Sequence, residues 1–275
     1  MRINAEYAEE VIEYRKRIRH EFDPVYFNSR ALIIKRLHID KWLFDDIKVE
    51  GLDNVAAVKD KQLFFVSNHK SLADFLVQPY VLWDNNLPIP RIIAGANLNK
   101  FPFKNLWKKC GAISLDRKLK KKLYLVAFYE EIKDILLANE SLLDYAGGTR
   151  NRGEGIEEFQ TGVIHIVLDV AKTGKDILAV PSFIDYDNII EEDALKTVDK
   201  WKEKRDSYLE KGKNLKAKVY DYLSFYFDYL ANIQRIFSKD KGNAYLKFGR
   251  AFPMGKFDKR SLTEKLRQDI IDLSK

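Results

Sequence analysis

Cysteine is all but missing from this chain: Cys110 is the only one. It cannot close an intramolecular disulfide, which excludes a small disulfide-built fold and points to a reducing compartment. Long apolar runs are missing too. None approaches the roughly 18 consecutive apolar residues of a membrane span, so the chain is not expected to thread a bilayer. The opening stretch MRINAEYAEEVIEYRKRIRHEF is charged throughout and has no apolar h-region, so it does not read as a signal peptide. Glycine and proline are sparse, at 13 and 7 residues, and no segment reads as low complexity or a long linker. The four histidines (His20, His38, His69 and His165) are scattered, so no metal set is visible.

What is present suits a sizeable core. Apolar residues make up 46% of 275, enough for one large domain or one domain with a helical annex. The net charge of +7 is unevenly placed. Lys100, Lys104, Lys108, Lys109, Arg117, Lys118, Lys120, Lys121 and Lys122 crowd one region against the single acid Asp116. Such a field attracts anions: nucleic acid, phosphorylated metabolites or anionic lipid. Nucleic acid ranks last, because the stretch DRKLKKK interleaves no aromatic residue on which bases could stack.

Tyr7, Val11, Tyr14 and Ile18 recur at helical spacing, Pro24 interrupts, and a second helix is expected over about Tyr26–Phe44. Then the period changes. QLFFVS, RIIAGA, GAISL, SLLDY and ILAVPSFI alternate with LADFLVQPYVLW, FKNLWKKC, LYLVAFYEEIKDILLA and GVIHIVLDVAK. Unalternated apolar strands between helices argue an α/β sheet covered on both faces. A charged helical stretch over about 191–239 precedes a last strand, NAYLKFG, and a closing helix from Ser261. The expected plan is an N-terminal helical hairpin over 1–45, an α/β domain over 46–275, and a helical insertion within it.

His69 follows the apolar run LFFV in VSNHKSLADF, with Asp74 five residues on. That places it at a carboxyl-end turn, where open α/β sheets hold their sites. An imidazole acts as a base when a carboxylate on its other nitrogen fixes tautomer and orientation. No serine or cysteine sits in a nucleophile elbow, so such a base activates a substrate hydroxyl, in acyl or phosphoryl transfer. Arg117 follows the short strand of CGAISLDRK, and YAGGTRNRG sets Gly148, Thr149, Arg150 and Arg152 after another. Glycines let backbone N–H groups approach an anion and arginines grip phosphate with two bonds. Read alone, each of these is more often structural than functional. In ILAVPSFIDYD, a proline within an apolar run is unexpected in a central strand except at its end.

Together, in this order, the segments resemble the glycerolipid acyltransferases, the family of glycerol-3-phosphate and lysophosphatidate acyltransferases. NHKSLAD is similar to its first motif, GAISLDR to its second, GGTRNR to its third and VPSFIDYD to its fourth. AGANLNKFPFKNLWKKCGAISLDR and the late AYLKFGRAF resemble the glycerol-3-phosphate branch. The resemblance implies a mixed, largely parallel α/β sheet flanked by helices, docked on a membrane from its cytoplasmic face without crossing it. It implies His69 and Asp74 as the catalytic pair. Arg117, Gly148, Thr149, Arg150, Arg152, Lys70 and Ser71 are its expected substrate-binding residues. Acyl-CoA or acyl-carrier-protein is the implied donor, with no cofactor or metal, and the sn-1 hydroxyl of glycerol-3-phosphate the acceptor. Gly147 departs from the pattern, standing where the third motif has glutamate. Two alternatives stay open: a lysophosphatidate acyltransferase, and a catalytically impaired lipid-binding relative. From the motif alone, Gly147→Glu is expected to leave activity equal or higher.

Overall fold

The computed structural model describes residues 5–19, 21–96, 104–117, 119–151, 153, 155–189, 192–234 and 241–275. Helix α1 (Ala5–Ile18) buries Val11, Tyr14 and Ile18. Pro24 does not merely interrupt. It opens α2 (Pro24–Arg36), where a missing N–H costs nothing, and the Asp23 side chain accepts the Tyr26 N–H at 2.9 Å. The helix expected to reach Phe44 breaks earlier. His38 adopts a left-handed φ of 50°, and a short α3 (Ile39–Leu43) follows on a new axis.

Strand β1 (Ile47–Glu50) and helix α4 (Leu52–Ala56) lead into the core. There β2 (Gln62–Ser67), α5 (Asp74–Asp84), β3 (Arg91–Gly95), α6 (Lys104–Lys109), β4 (Ala112–Leu115), α7 (Lys122–Leu137), β5 (Leu142–Tyr145), α8 (Gly162–Ala171) and β6 (Ile177–Tyr186) alternate. The hairpin α9 (Glu192–Glu210) and α10 (Asn214–Gln234) is followed by β7 (Ala244–Phe248), β8 (Phe252–Pro253) and α11 (Lys259–Leu273). The sheet runs β1-β7-β6-β2-β5-β3-β4, with β8 on the first half of β6. All pairings are parallel except those of β6 with β7 and β8. This is the α/β sheet covered on both faces that the alternation implied, and the mixed, largely parallel order that the resemblance implied.

Every residue of β2 is buried, because both faces of the sheet are covered. Phe64, Val66 and Leu142 pack with α1, α7, α8 and α11 on one side. Leu63, Phe65, Leu143 and Tyr145 pack with α5, Val55 of α4 and Phe44 on the other. Helix α1 is bound into the first layer: Tyr14 meets the Tyr124 ring edge-on at 5.5 Å, and Arg15 reaches the buried Glu131 at 3.1 Å.

Pro181 lies mid-strand in β6 rather than at an end, and the neighbouring strands explain it. Its carbonyl accepts the Gly249 N–H at 2.8 Å, on the side where β8 gives way to β7. In a strand a residue's nitrogen and oxygen point the same way. The absent N–H therefore faces the gap between those two short strands and not the ladder to β2.

Strand β2 stops at Ser67 while β6 runs on, so Ile184 has no backbone partner from β2. Asn68 supplies one. Its side-chain amide accepts the Ile184 N–H and donates to the Ile184 carbonyl, both at 2.8 Å, adding one rung where the functional turn begins. Asn68→Ala leaves two buried backbone groups unpaired. A loss of about 2–4 kcal/mol in chemical denaturation is expected, with an unchanged midpoint contradicting this role.

Candidate active site

The carboxyl ends of β2, β4, β5 and β6 carry the segments singled out in the sequence. After β2 the chain turns through Asn68, His69, Lys70 and Ser71 into α5, whose first residue is Asp74. That short turn folds the carboxylate back beneath the imidazole: His69 Nδ1 lies 2.6 Å from Asp74 Oδ2. Asp74 is fully buried, and a buried carboxylate needs donors. It has the Lys70 N–H at 2.8 Å, the Ser71 N–H at 3.1 Å and the Tyr186 hydroxyl on Oδ1 at 2.6 Å. With Nδ1–H donated to Asp74, His69 Nε2 carries the lone pair.

Aromatic rings fix the imidazole. Tyr145, the last residue of β5, stacks on it at 4.8 Å and donates its hydroxyl to the Asp74 backbone carbonyl at 2.7 Å. Burial, with the Asp74 charge nearby, holds that phenol well above its usual pKa, so it stays a donor. Phe75 meets the ring edge-on at 5.5 Å. Phe44 stacks on Tyr186 at 5.5 Å and is fully buried.

The glycine turn after β5 comes to the same place. Gly148 donates to the Tyr145 carbonyl at 2.9 Å and has a φ of +76°, which favours glycine. Arg117, reaching over from the end of β4, lies against it. A Cβ at Gly148 would stand 3.3 Å from the Arg117 guanidinium carbon. Beneath them Asp144 is buried in β5. Burial pushes its carboxyl up to about 7, with the Arg117 charge acting the other way. The turn is tied to the histidine directly, since Asn151 donates its N–H to the His69 carbonyl at 2.7 Å. Arg117 also lines a cavity of about 640 Å³ together with Leu115, Asp116 and the α9–α10 residues Arg205, Leu209 and Lys218.

The other expected residues fall as follows. Lys70 and Ser71 meet Asp74 through their backbone N–H groups. The Lys70 ammonium donates to the Gly153 carbonyl at 3.3 Å, and Ser71 is fully buried, its hydroxyl accepting the Ala73 N–H. Thr149 is exposed and Arg150 half-buried on the loop beyond the glycines. Arg152 lies outside the described residues. Sequence reasoning missed three residues: Tyr145 and Tyr186, which read as strand aromatics, and Glu157, whose carboxylate meets the His69 N–H at 3.4 Å. Both tyrosines lay in segments already marked, Tyr145 opening YAGGTRNRG and Tyr186 within VPSFIDYD, whereas Glu157 lay in none. Among the described residues, no three histidine, cysteine or acidic side chains group as metal ligands.

Fold and site define a class: α/β proteins that carry a histidine–aspartate pair at the carboxyl edge of a mostly parallel sheet, beside a glycine turn and an arginine. The family model described as Acyltransferase matches residues 46–185, about half the chain. The chain belongs to that acyltransferase family. Among curated relatives, a glycerol-3-phosphate acyltransferase of Pseudoalteromonas atlantica is 26% identical over 220 residues, 78% of this chain and 25% of that protein. One of Actinobacillus pleuropneumoniae is 30% identical over 192 residues, 66% of this chain and 23% of its own length. The chain thus spans about a quarter of the length of these relatives. Among solved structures, the 1-acyl-sn-glycerophosphate acyltransferase PlsC of Thermotoga maritima shares the fold. Its TM-score is 0.52 at 17% identity, over 99% of this chain and 81% of that one.

Proposed function

We propose that this protein transfers a fatty acyl group from an acyl thioester to the sn-1 hydroxyl of glycerol-3-phosphate. The observation that carries the reading is the 2.6 Å contact of His69 Nδ1 with the buried Asp74. His69 Nε2 takes the proton of the acceptor hydroxyl as its oxygen attacks the thioester carbonyl. The tetrahedral intermediate collapses, the ester C–O bond is kept, the C–S bond breaks, and the imidazolium returns its proton to the departing thiolate. A positioned base of this kind contributes about 10²–10⁴-fold in rate. Asp74 keeps the ring in the tautomer the step requires. Arg117, laid over the glycine turn, and Arg150 on the following loop bind the acceptor phosphate, with Arg152 assigned the same part from the sequence. The donor is acyl-CoA or acyl-carrier-protein, and no cofactor enters.

The names of the relatives favour glycerol-3-phosphate, and the arginines agree with it. A small acceptor with little apolar surface must be held by charge-assisted bonds. Lysophosphatidate brings its own acyl chain. Product analysis with both acceptors under matched donor conditions decides. Faster turnover with glycerol-3-phosphate is expected, and Arg150→Ala is expected to raise its KM by about tenfold or more while leaving the donor KM near its starting value. Faster turnover with lysophosphatidate refutes the acceptor assignment, and no acyl transfer to either favours the lipid-binding alternative.

We also propose that the N-terminal helices dock on an anionic membrane surface. Among the described residues no helix is long and apolar enough to cross a membrane. Of the cluster Trp42, Leu43 and Phe44, the structure buries Phe44 and leaves Trp42 at 46% exposure. Val25 and Leu37, at 78% and 53%, are further exposed apolar residues of the same N-terminal helical segment, which also carries Lys35, Arg36 and Lys41. Because α1 is part of the core, point changes test this better than deletion. The protein is expected to co-sediment with anionic vesicles at low salt, and Trp42→Asp to weaken that several-fold at unchanged thermal stability. Failure of the unaltered protein to co-sediment contradicts the docking.

A further inference from the structure

The third-motif departure at Gly147 has a structural counterpart in Glu157. A Cβ added at Gly147 would stand 1.9 Å from Glu157 Oε1 and 2.4 Å from its carboxyl carbon. The volume a side chain at 147 would occupy is therefore filled by another residue's carboxylate, arriving from ten positions along the chain. Glycine at 147 is required by that close approach, not by its backbone angle, which is not among the positive values of the chain.

The carboxylate is held from behind. Arg267 of α11 donates to the carbonyls of Ile156 and Glu157 at 2.9 and 3.2 Å, while Ile156 and Phe159 anchor the loop in the core. Gln160 donates its N–H to the Ala146 carbonyl at 2.7 Å, stitching the loop to the end of β5. The Oε1 side of Glu157 approaches the turn that carries His69. Oε1 meets the His69 N–H at 3.4 Å, whereas Oε2 is buried with no hydrogen-bond partner among the described residues. A buried acceptor left unpaired is costly, and native structures rarely leave one without a ligand or water.

We propose that Glu157 supplies an acceptor-binding carboxylate in the space where position 147 has no side chain. Its Oε2 accepts a hydrogen bond from the free hydroxyl of a polyol phosphate, the one that is not acylated, so that the neighbouring hydroxyl is presented to His69 Nε2. The substrate class this selects is a phosphate ester with two adjacent hydroxyls. The inference rests on the acyltransferase reading. It also reverses the expectation for Gly147→Glu. A second carboxylate cannot enter space that Glu157 fills, so that variant is expected to lose activity.

The test is a relocation of the carboxylate, read as separate KM and kcat values for glycerol-3-phosphate and for acyl thioester. Glu157→Ala is expected to raise the acceptor KM about ten- to hundredfold, with the donor KM and the melting temperature little changed. Gly147→Glu alone is expected to fall similarly. The double variant Gly147→Glu with Glu157→Ala is expected to recover at least tenfold over Glu157→Ala, because the carboxylate returns from the other side. An unchanged acceptor KM in Glu157→Ala overturns the proposal, as does a double variant that folds and is no better than the single one. If the unaltered protein acylates no polyol phosphate, it is the acyltransferase reading that falls.

Discussion

A carboxylate with no access to water organises this molecule. Asp74 is fully buried at the first turn of α5, and the groups around it come from three parts of the fold. The turn after β2 gives His69 Nδ1 and two backbone N–H groups, and β6 gives the Tyr186 hydroxyl. From β5, Tyr145 bonds the backbone carbonyl of the same residue. A lone charge in such a place would cost far more than a domain's margin of stability, so the site exists only where these donors converge. The three central strands must therefore be adjacent and in register for the pair to form. Asn68, which extends the β2–β6 ladder beside it, and Phe44, which stacks behind Tyr186, serve the same requirement from outside.

The rest of the crevice is arranged around that fixed histidine. Asn151 ties the glycine turn to the His69 carbonyl, and the turn in turn receives Arg117 from two strands away. The histidine and the cationic groups are thus connected through the backbone and do not merely lie near each other. Such preorganisation would serve the proposed two-substrate reaction, where binding energy at a phosphate becomes orientation at a hydroxyl. Glu157 belongs to this frame. Its backbone is held by Arg267 of α11.

Much of this was legible in the sequence, for physical reasons that vary with the element. Strands such as QLFFVS stand out because a strand covered on both faces has no polar positions. Strand β1, with its half-exposed alternation over four residues, has no such signature and was missed. The break at His38 was invisible because the apolar spacing continues across it, and only the backbone angle changes. Pro181 looked out of place until the division of labour between β7 and β8 was known. His69, Asp74 and Arg117 were readable because short turns after strands fix where they go. Tyr186 and Glu157 were not, since their roles depend on which strand neighbours β2 and on how a loop folds back over Gly147.

The central claim is that His69 is the base of an acyl transfer and that its surroundings exist to orient it. The most direct measurement is steady-state transfer by purified His69→Ala, with the fold checked by thermal melting and near-ultraviolet circular dichroism. The account predicts a folded protein whose kcat falls by about 10²–10⁴-fold while the KM for glycerol-3-phosphate stays within a few-fold. A folded His69→Ala protein with near-normal turnover would contradict it.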